Sequence, residues 1–371
     1  MKPRALFLSN RIYFDDSKKE GGVRLCTMEY LSLVQLLFET HLFFVQTRRD
    51  IRYRIKVKSG FNAYDDYDVD SYRFQLINLI KQQGITYVFL NLSNTVPFAR
   101  IIKNEFGDTV KIILCSHGNE SGDYLHEVVK HRGKVPLYKR LISTYTLGKL
   151  LKSEARFRQV FLDLVLTVSP VEEAIEKWIG AKNVFMVPRT IKSNPLPWNP
   201  YNGRIGFIGD LSHWPNYYGL DELCKHLSNT DNKHIELRLV GSPTDTGKKL
   251  AEKYSFVNYL GYLPAKDLEQ EACTWCFFLN PVFYYSRGVS TKLAKAISWG
   301  IPVISTTIGC RGYVWKQGGV VLAENASSMA GCIIDYANDS NYIGKAKEQI
   351  DLLGKSGLSL EEIATNLKKI I

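Results

Sequence analysis

The feature of this sequence that most limits its fold is an alternation of short apolar runs with helical stretches along almost its whole length. The runs are nearly continuous in apolar character, which is typical of parallel strands that are buried on both faces. Helical stretches such as Val23–Phe38, Tyr72–Lys81 and Val171–Ile179 separate them. The pattern predicts parallel α/β sheets. In the first half the runs lie at residues 5–9, 41–46, 87–92, 111–117, 164–169 and 184–188.

A break divides this alternation into two halves of similar size. Residues 190–203 hold three prolines and several turn formers without any periodicity, so they read as a linker. A length of 371 residues also suits two domains better than one. We therefore expect Rossmann-like domains at 1–190 and 204–355, a linker at 191–203, and a last helix within 356–371 that packs back on the first domain. The apolar runs of the second half lie at 204–210, 235–241, 257–262, 275–281, 302–309 and 320–323.

The composition is that of a soluble globular protein, with 45% hydrophobic and 23% charged residues. No apolar run approaches the ~20 residues that cross a bilayer. The start of the chain, MKPRALFLSNR, lacks the apolar core of a signal peptide, so a cytoplasmic location is expected. Seven scattered cysteines argue against a disulfide framework, and Cys273 and Cys276 of the CTWC motif are expected to be core residues.

The net charge of +11 is concentrated in one segment, residues 130–158, which carries nine Lys or Arg against a single acid, Glu154. Its apolar residues recur at helical spacing. A basic amphipathic helix suits an anionic membrane surface, where each cation contributes roughly 1 kcal/mol. A solvated helix face is the alternative. No nucleic-acid motif accompanies the segment, so nucleic acid is not an expected partner. We expect a peripheral position at the inner face of the cell membrane.

Residues 280–312 hold the densest group of candidate functional residues. A strand ends at Asn280, a loop contains Arg287 and Gly288, and a helix begins near Ser290. Helix N-termini bind phosphate through unpaired N–H groups and a partial positive charge. Gly288 lets a ligand approach the backbone, and Arg287 and Lys292 add formal charge. The alternative is an ordinary N-cap flanked by cations that face solvent.

The stretch STKLAKAISWGIPVIST (290–306) resembles the donor-binding helix and following strand of family 4 glycosyltransferases, the glycosyl transferases group 1, and their GT-B relatives. Residues 207–223, 237–243 and 257–270 resemble the same carboxyl-terminal domain in order and spacing. The resemblance implies an α/β GT-B fold of two facing Rossmann-like domains with a cleft. It also implies transfer of a sugar from a nucleotide sugar, such as a UDP- or GDP-sugar, to a glycan or lipid-linked saccharide. Retention of configuration, independence of metals and a place in cell-surface polysaccharide or glycoconjugate synthesis are further implications.

The resemblance also implies roles for individual residues. Arg287 and Lys292 would hold the leaving diphosphate, and His117, after the fourth strand, would contact the reacting sugar. No metal or cofactor is needed if these cations supply the charge. Ser169, at the end of the fifth strand, is expected to be a helix N-cap. The acceptor or cleft residues would be Gly21, Gly22, Glu120, Tyr284 and Tyr285. The donor-binding residues would be Gly209, Gly241, Ser242, Tyr262, Leu263, Gly288, Val289, Ser290, Thr291 and Lys295.

One departure from the family's pattern bears on the activity. The family often has two Glu residues eight positions apart, and Arg287 and Lys295 occupy those positions here. A cation cannot accept a hydrogen bond from a sugar or ribose hydroxyl. A catalytically inactive GT-B-like scaffold of a glycan assembly complex therefore stays open as an alternative. A sugar-nucleotide epimerase of the GT-B fold, which would act without an acceptor, is a further alternative.

Overall fold

The computed structural model describes residues 2–15, 21–61, 63–130, 136–284 and 287–371, with only the backbone for 126–130. The chain divides into two compact units. Unit 1 comprises Met1–Val187, Ser286–Gly288 and Leu360–Ile371. Unit 2 comprises Pro188–Tyr285 and Val289–Ser359.

Unit 1 contains a six-stranded parallel sheet in the order β2-β1-β3-β4-β5-β6. Its strands are β1 (Arg4–Asn10), β2 (Glu39–Val45), β3 (Tyr87–Asn91), β4 (Lys111–Cys115), β5 (Leu164–Thr167) and β6 (Val184–Met186). Its first seven helices are α1 (Gly22–Leu37), α2 (Ile51–Ser59), α3 (Val69–Gln83), α4 (Pro97–Phe106), α5 (Glu120–Lys130), α6 (Leu137–Val160) and α7 (Pro170–Trp178).

Unit 2 contains a second six-stranded parallel sheet, in the order β12-β11-β10-β7-β8-β9. Its strands are β7 (Tyr201–Asp210), β8 (Glu236–Ser242), β9 (Val257–Gly261), β10 (Trp275–Asn280), β11 (Val303–Thr306) and β12 (Val321–Ala323). Its helices are α8 (Trp214–Ser228), α9 (Thr244–Lys253), α10 (Ala265–Ala272), α11 (Thr291–Ser298), α12 (Ala326–Tyr336) and α13 (Ser340–Ser356). The last helix of the chain, α14 (Leu360–Leu367), belongs to unit 1 and contacts α1.

The two sheets confirm the predicted α/β class, because each of the twelve apolar runs overlaps one strand. The central strands are buried almost completely, as continuous apolar runs require: all six residues of β10 are buried, and so are all four of β5.

The segment before β7 has no regular structure from Pro188 to Pro200. Its backbone forms hydrogen bonds within unit 2, with Asn194 N–H donating to Ser298 O. No helix among the described residues is apolar and long enough to span a bilayer.

The basic segment 130–158 is not one amphipathic helix. Helix α5 ends at Lys130, α6 begins at Leu137, and residues 131–135 lie outside the described residues. Helix α6 exposes apolar side chains near its start, including Leu137, and buries charged ones near its end, Glu154 and Arg158. The prediction of one continuous amphipathic face is therefore wrong, and Arg158 contributes nothing to a basic surface.

Arg158 instead forms a buried ion pair with Glu176 of α7. Its Nε lies 2.7 Å from Glu176 Oε2 and its Nη2 lies 2.9 Å from Oε1. Ser116, directly after β4, donates to the same carboxylate at 3.2 Å. One turn earlier on α6, Glu154 accepts bonds from the backbone and hydroxyl of Ser121 and from Tyr64. Two buried charges of α6 therefore hold the chain on both sides of His117.

Replacing Glu176 with Ala leaves the Arg158 guanidinium buried without its counter-charge. We expect a loss of about 3–5 kcal/mol in the free energy of unfolding, measured by urea denaturation. Glu173→Ala is the matched control, because Glu173 pairs with Lys177 on the same helix at a more exposed position. That variant should lose less than about 1 kcal/mol. Equal losses in the two variants would contradict a stabilising role for the buried pair.

Candidate functional site

In unit 2, a network of side chains behind the N-terminus of α11 shapes the predicted phosphate site. Ser290 lies at the N-cap position, but its hydroxyl donates to Asn280 Oδ1 at 2.9 Å and makes no capping bond to the helix. The Asn280 amide group donates in turn to Ser305 Oγ and to the Gly309 carbonyl. Tyr313 donates to the Ser290 carbonyl. Without a side-chain cap, the N–H groups at the start of α11 are those that bind anions, apart from the Leu293 N–H, which donates to the Ser290 carbonyl.

Lys292 lies in the first turn of this helix and is the cation of the site. Its Nζ contacts Asn216 Oδ1 of α8 and lies 4.7 Å from the centre of the Phe207 ring. Asn216 donates from Nδ2 to the Asp210 carbonyl, which turns its Oδ1 towards the ammonium. Among the described residues no carboxylate forms an ion pair with Lys292. Removal from water lowers the pKa of Lys292 from 10.5 to about 7. An anionic ligand would supply the charge that this ammonium lacks.

The glycines at the ends of β7 and β8 have a structural explanation. Gly209 and Gly241 pair across the sheet, and a Cβ at Gly241 would lie 1.9 Å from the Gly209 carbonyl oxygen. Ser242 pairs with Asp210 in the same register. Gly241 therefore allows the two strands to approach one another, and a Cβ at Gly209 would lie 2.9 Å from the Phe207 ring, whether or not a ligand binds above them.

The other donor-binding candidates of unit 2 differ in exposure. Tyr262 is exposed after β9, whereas Leu263 and Val289 pack against the apolar core. Lys295 lies on the exposed face of α11 with its Nζ 5.0 Å from the centre of the Trp299 ring. Tyr284 contacts the Tyr218 ring, and Tyr285 lies outside the described residues.

In unit 1, His117 lies two residues beyond β4 and is buried. Its Nε2 is 3.0 Å from Asn91 Oδ1. Asn91 uses its amide nitrogen to donate to Ser9 Oγ and Thr27 Oγ1, so its oxygen must accept the bond from the imidazole. The network therefore places a proton on Nε2. The Tyr30 ring, 5.5 Å away, packs against the imidazole.

Arg287 is held by two carboxylates of α5. Its Nη1 lies 2.5 Å from Glu120 Oε1 and its Nε lies 2.5 Å from Asp123 Oδ2. Burial raises the pKa of Glu120, and the nearby guanidinium opposes that rise. The charge of Arg287 is matched inside unit 1, in contrast to that of Lys292. The predicted role of Arg287 at a diphosphate stays a prediction, because contact with a phosphate would compete with these two pairs.

Close backbone packing surrounds this arginine. Gly118 has a φ of +103°, and a Cβ there would lie 2.6 Å from Arg287 Cβ, so only glycine fits. The Gly288 N–H donates to Glu172 Oε1 at 3.0 Å. Gly21 and Gly22 lie at the exposed start of α1. Ser169 is the N-cap of α7, as predicted, and accepts a bond from Glu172 N–H.

Several residues of these networks were not singled out in the sequence. Asn216 lies in the first turn of α8, within the stretch 207–223 that resembles the family, and its position in that stretch was the available signal. Asn91 and Asn280 each end an apolar strand, and a polar residue at a strand's carboxyl end is a signal of the same kind. Asp123 and Glu172 gave no signal, because each is one of several acids in a helix.

Replacing Lys292 with Met tests whether its ammonium is desolvated. Between about pH 7 and pH 10.5 the unfolded chain holds a proton here that the folded chain lacks. The free energy of unfolding from this group therefore rises with pH across that window and is lowest at pH 7 and below. Lys292→Met should be stabilised relative to the parent near about pH 7, by a margin that shrinks towards about pH 9 in urea denaturation. Lys295→Met reports the effect of removing an exposed cation from the same helix. An equal margin at both pH values would show that the Lys292 ammonium is solvated.

Comparison with known proteins identifies the domain in unit 2. Residues 202–339 match the family model described as Glycosyl transferases group 1. No curated protein matches the sequence. The matched residues contain β8–β12, all of β7 but its first residue, and the helices α8–α12, and therefore the Lys292 site.

Solved structures resemble the whole chain at low sequence identity. Sucrose-phosphate synthase from Thermosynechococcus elongatus is 14% identical with a TM-score of 0.66, covering 100% of this chain and 98% of that one. Anabaena Alr3699/HepE in complex with UDP and glucose is 13% identical with a TM-score of 0.63 and 99% coverage of both chains. The lipopolysaccharide outer core galactosyltransferase WaaB, in its apo form, is 14% identical with a TM-score of 0.60 and 100% coverage of both.

At these identities the solved structures show the fold, and the family match adds the activity. The two six-stranded parallel sheets and the full-length coverage confirm the predicted GT-B architecture. The protein is a glycosyltransferase of the GT-B fold, and its carboxyl-terminal domain is that of the glycosyl transferases group 1.

Proposed function

We propose that this enzyme transfers a sugar from a nucleotide-sugar donor to a glycan or lipid-linked saccharide, in the synthesis of a cell-surface polysaccharide or glycoconjugate. The observation that carries the donor part is the Lys292 ammonium, which lacks a carboxylate partner among the described residues and lies in the first turn of α11. A diphosphate supplies the missing charge and accepts the N–H bonds of the helix. The similar structure of Alr3699/HepE, which holds UDP and glucose, supports this class of donor.

We further propose that the reaction needs no metal, because the same site can supply positive charge and N–H donors. Negative charge develops on the diphosphate as the bond to the sugar breaks, and donors that are already in place stabilise it most effectively. Lys292 supplies a formal charge and the backbone at 289–291 supplies N–H groups, whereas the Gly288 N–H already donates to Glu172. Arg287 acts mainly by positioning its loop, because Glu120 and Asp123 already hold its guanidinium.

We assign His117 to the reacting sugar as a hydrogen-bonding group. Its ring orientation is fixed by Asn91, which in turn is fixed by Ser9 and Thr27. A ring held in this way suits recognition of a sugar hydroxyl better than repeated transfer of protons. Departure of the nucleoside diphosphate with retention of configuration is consistent with this assignment.

We also propose that the enzyme works as a peripheral protein at the inner face of the cell membrane. The cations of segment 130–158 that remain exposed on α6, such as Lys139 and Arg140, would be attracted by anionic lipids. Lipid-linked acceptors reside at such a surface. The buried Arg158 takes no part in this attraction.

Replacing Lys292 with Ala should weaken binding of the nucleotide donor at least about tenfold, because a charge-assisted bond to phosphate is lost. The first measurement is a thermal-shift screen against UDP, GDP, dTDP, ADP, CMP and their common sugar conjugates, since a ligand well above its Kd raises the apparent stability. A titration with the ligand that binds best then compares the parent with the variant. Lys266→Ala, an exposed position in unit 2, is the matched control and should bind like the parent.

The pH dependence of donor binding by the parent protein is a second test of the same site. Binding must restore a proton to Lys292 above about pH 7, so the donor affinity should fall as the pH rises beyond that value. Unchanged affinity in Lys292→Ala would remove this residue from the donor site. No stabilisation by any nucleotide would contradict the donor proposal and favour the inactive-scaffold alternative, with Lys295→Glu as the variant to test next.

A further inference from the structure

Helix α2, Ile51–Ser59, has none of its nine residues buried, although three of them are large and aliphatic. Ile51 is 75% exposed and Ile55 is 61% exposed. The helix is well defined at both ends: Asp50 caps its start by accepting from Tyr53 N–H, and Gly60 ends it in the left-handed conformation. An isolated helix of fewer than about 12 residues is marginal in water, so α2 depends on its contacts.

The two residues that follow α2, Gly60 and Phe61, place the carboxyl end of the helix beside the first half of α6. The Thr146 hydroxyl donates to the Gly60 carbonyl at 2.5 Å, and the rings of Phe61 and Tyr145 lie 6.0 Å apart. This part of α6 also exposes large apolar side chains, with Leu137 at 70% and Leu141 at 64%. We call the combined surface the α2–α6 patch; its apolar members are Ile51, Ile55, Val57, Phe61, Leu137, Tyr138, Leu141 and Tyr145.

Cations are interleaved with these apolar side chains. In α2, with the sequence IRYRIKVKS, four basic residues occur among nine and no acid does. Only Lys56 of these four has an ion pair among the described residues, with Asp65 at 3.2 Å. On α6 the exposed cations are Lys139, Arg140, Lys149, Lys152 and Arg156. The patch is therefore apolar and positive over the same two helices.

We propose that the α2–α6 patch inserts its apolar side chains into the headgroup boundary of an anionic lipid bilayer. Apolar area and cations on one surface match the two attractions that a bilayer of this kind offers. A nucleic acid would satisfy the cations but leave the isoleucines and leucines in water. The inference rests on the peripheral location proposed above and extends it in two ways: α2 belongs to the membrane-binding surface, and apolar side chains enter the bilayer. It does not depend on the identity of the donor.

The test is sedimentation of the full chain with phosphatidylcholine vesicles that contain about one third phosphatidylglycerol. The double variant Ile51→Ser, Ile55→Ser should bind about tenfold more weakly than the parent, because two apolar side chains no longer leave water. Trp178→Ser is the matched control, because Trp178 is also 75% exposed in unit 1 but lies on α7. That variant should bind like the parent. Equal binding by the parent and the double variant would overturn the insertion.

Two further measurements distinguish the insertion of apolar side chains from electrostatic attraction alone. The pair Arg52→Gln, Arg54→Gln should weaken binding to the anionic vesicles and leave the residual binding to pure phosphatidylcholine unchanged. Raising the salt to about 0.5 M should reduce the binding of the parent without abolishing it, because the apolar contribution is not screened. Complete loss in salt, or stronger binding to DNA fragments than to vesicles, would overturn the proposal. Nucleotide binding by the same variants, measured without lipid, should equal that of the parent, so a failure here is distinct from a failure of the donor site.

Discussion

The buried pair between Arg158 and Glu176 is the constraint on which the site in unit 1 depends. Taking two charges out of water is costly, and the hydrogen bonds of each partner offset part of that cost, although Arg158 Nη1 has no partner among the described residues. Here the same carboxylate also accepts the bond from Ser116, and Glu154 one turn away accepts two bonds from Ser121. The chain that carries His117 and Glu120 is thus fixed at both ends by charges of α6 and α7. Loop positions that are fixed in this way suit a residue that must meet a substrate in one orientation.

Charge is distributed differently at the two cations that the sequence had suggested for the diphosphate. Arg287 has two carboxylates within 2.5 Å and is neutralised where it stands. Lys292 contacts an amide oxygen and an aromatic face, and its pKa is lowered because the ammonium is removed from water. An incoming anion gains more from the second arrangement, because it replaces no existing ion pair. The difference makes Lys292 the stronger candidate for holding the leaving group.

The sequence was sufficient to predict the fold. Twelve apolar runs gave twelve strands because buried parallel strands leave a continuous signature, and the helix after Ser290 begins where the motif predicted. What the sequence could not give was the partner of each charged side chain. Nothing local distinguishes Arg158, which is buried, from Arg156, which is exposed two residues away. Such pairings are set by helices that meet only in the folded chain, so Asp123 and Glu172 carried no signal.

The burial pattern of α6 explains why the prediction of a basic amphipathic helix over residues 130–158 was wrong. Its first half exposes Leu137, Leu141 and Tyr145 at intervals of four, whereas its second half buries Thr146, Leu150, Glu154 and Arg158 at the same interval. The apolar residues of the whole segment thus belong to two different faces, one towards solvent and one towards the core. One end of α6 therefore packs against the core, and the other end presents apolar side chains to solvent. The exposed end of α6 forms the proposed membrane-binding surface together with α2. The apolar residues of α2 alternate with cations, so they produce no helical period in the sequence.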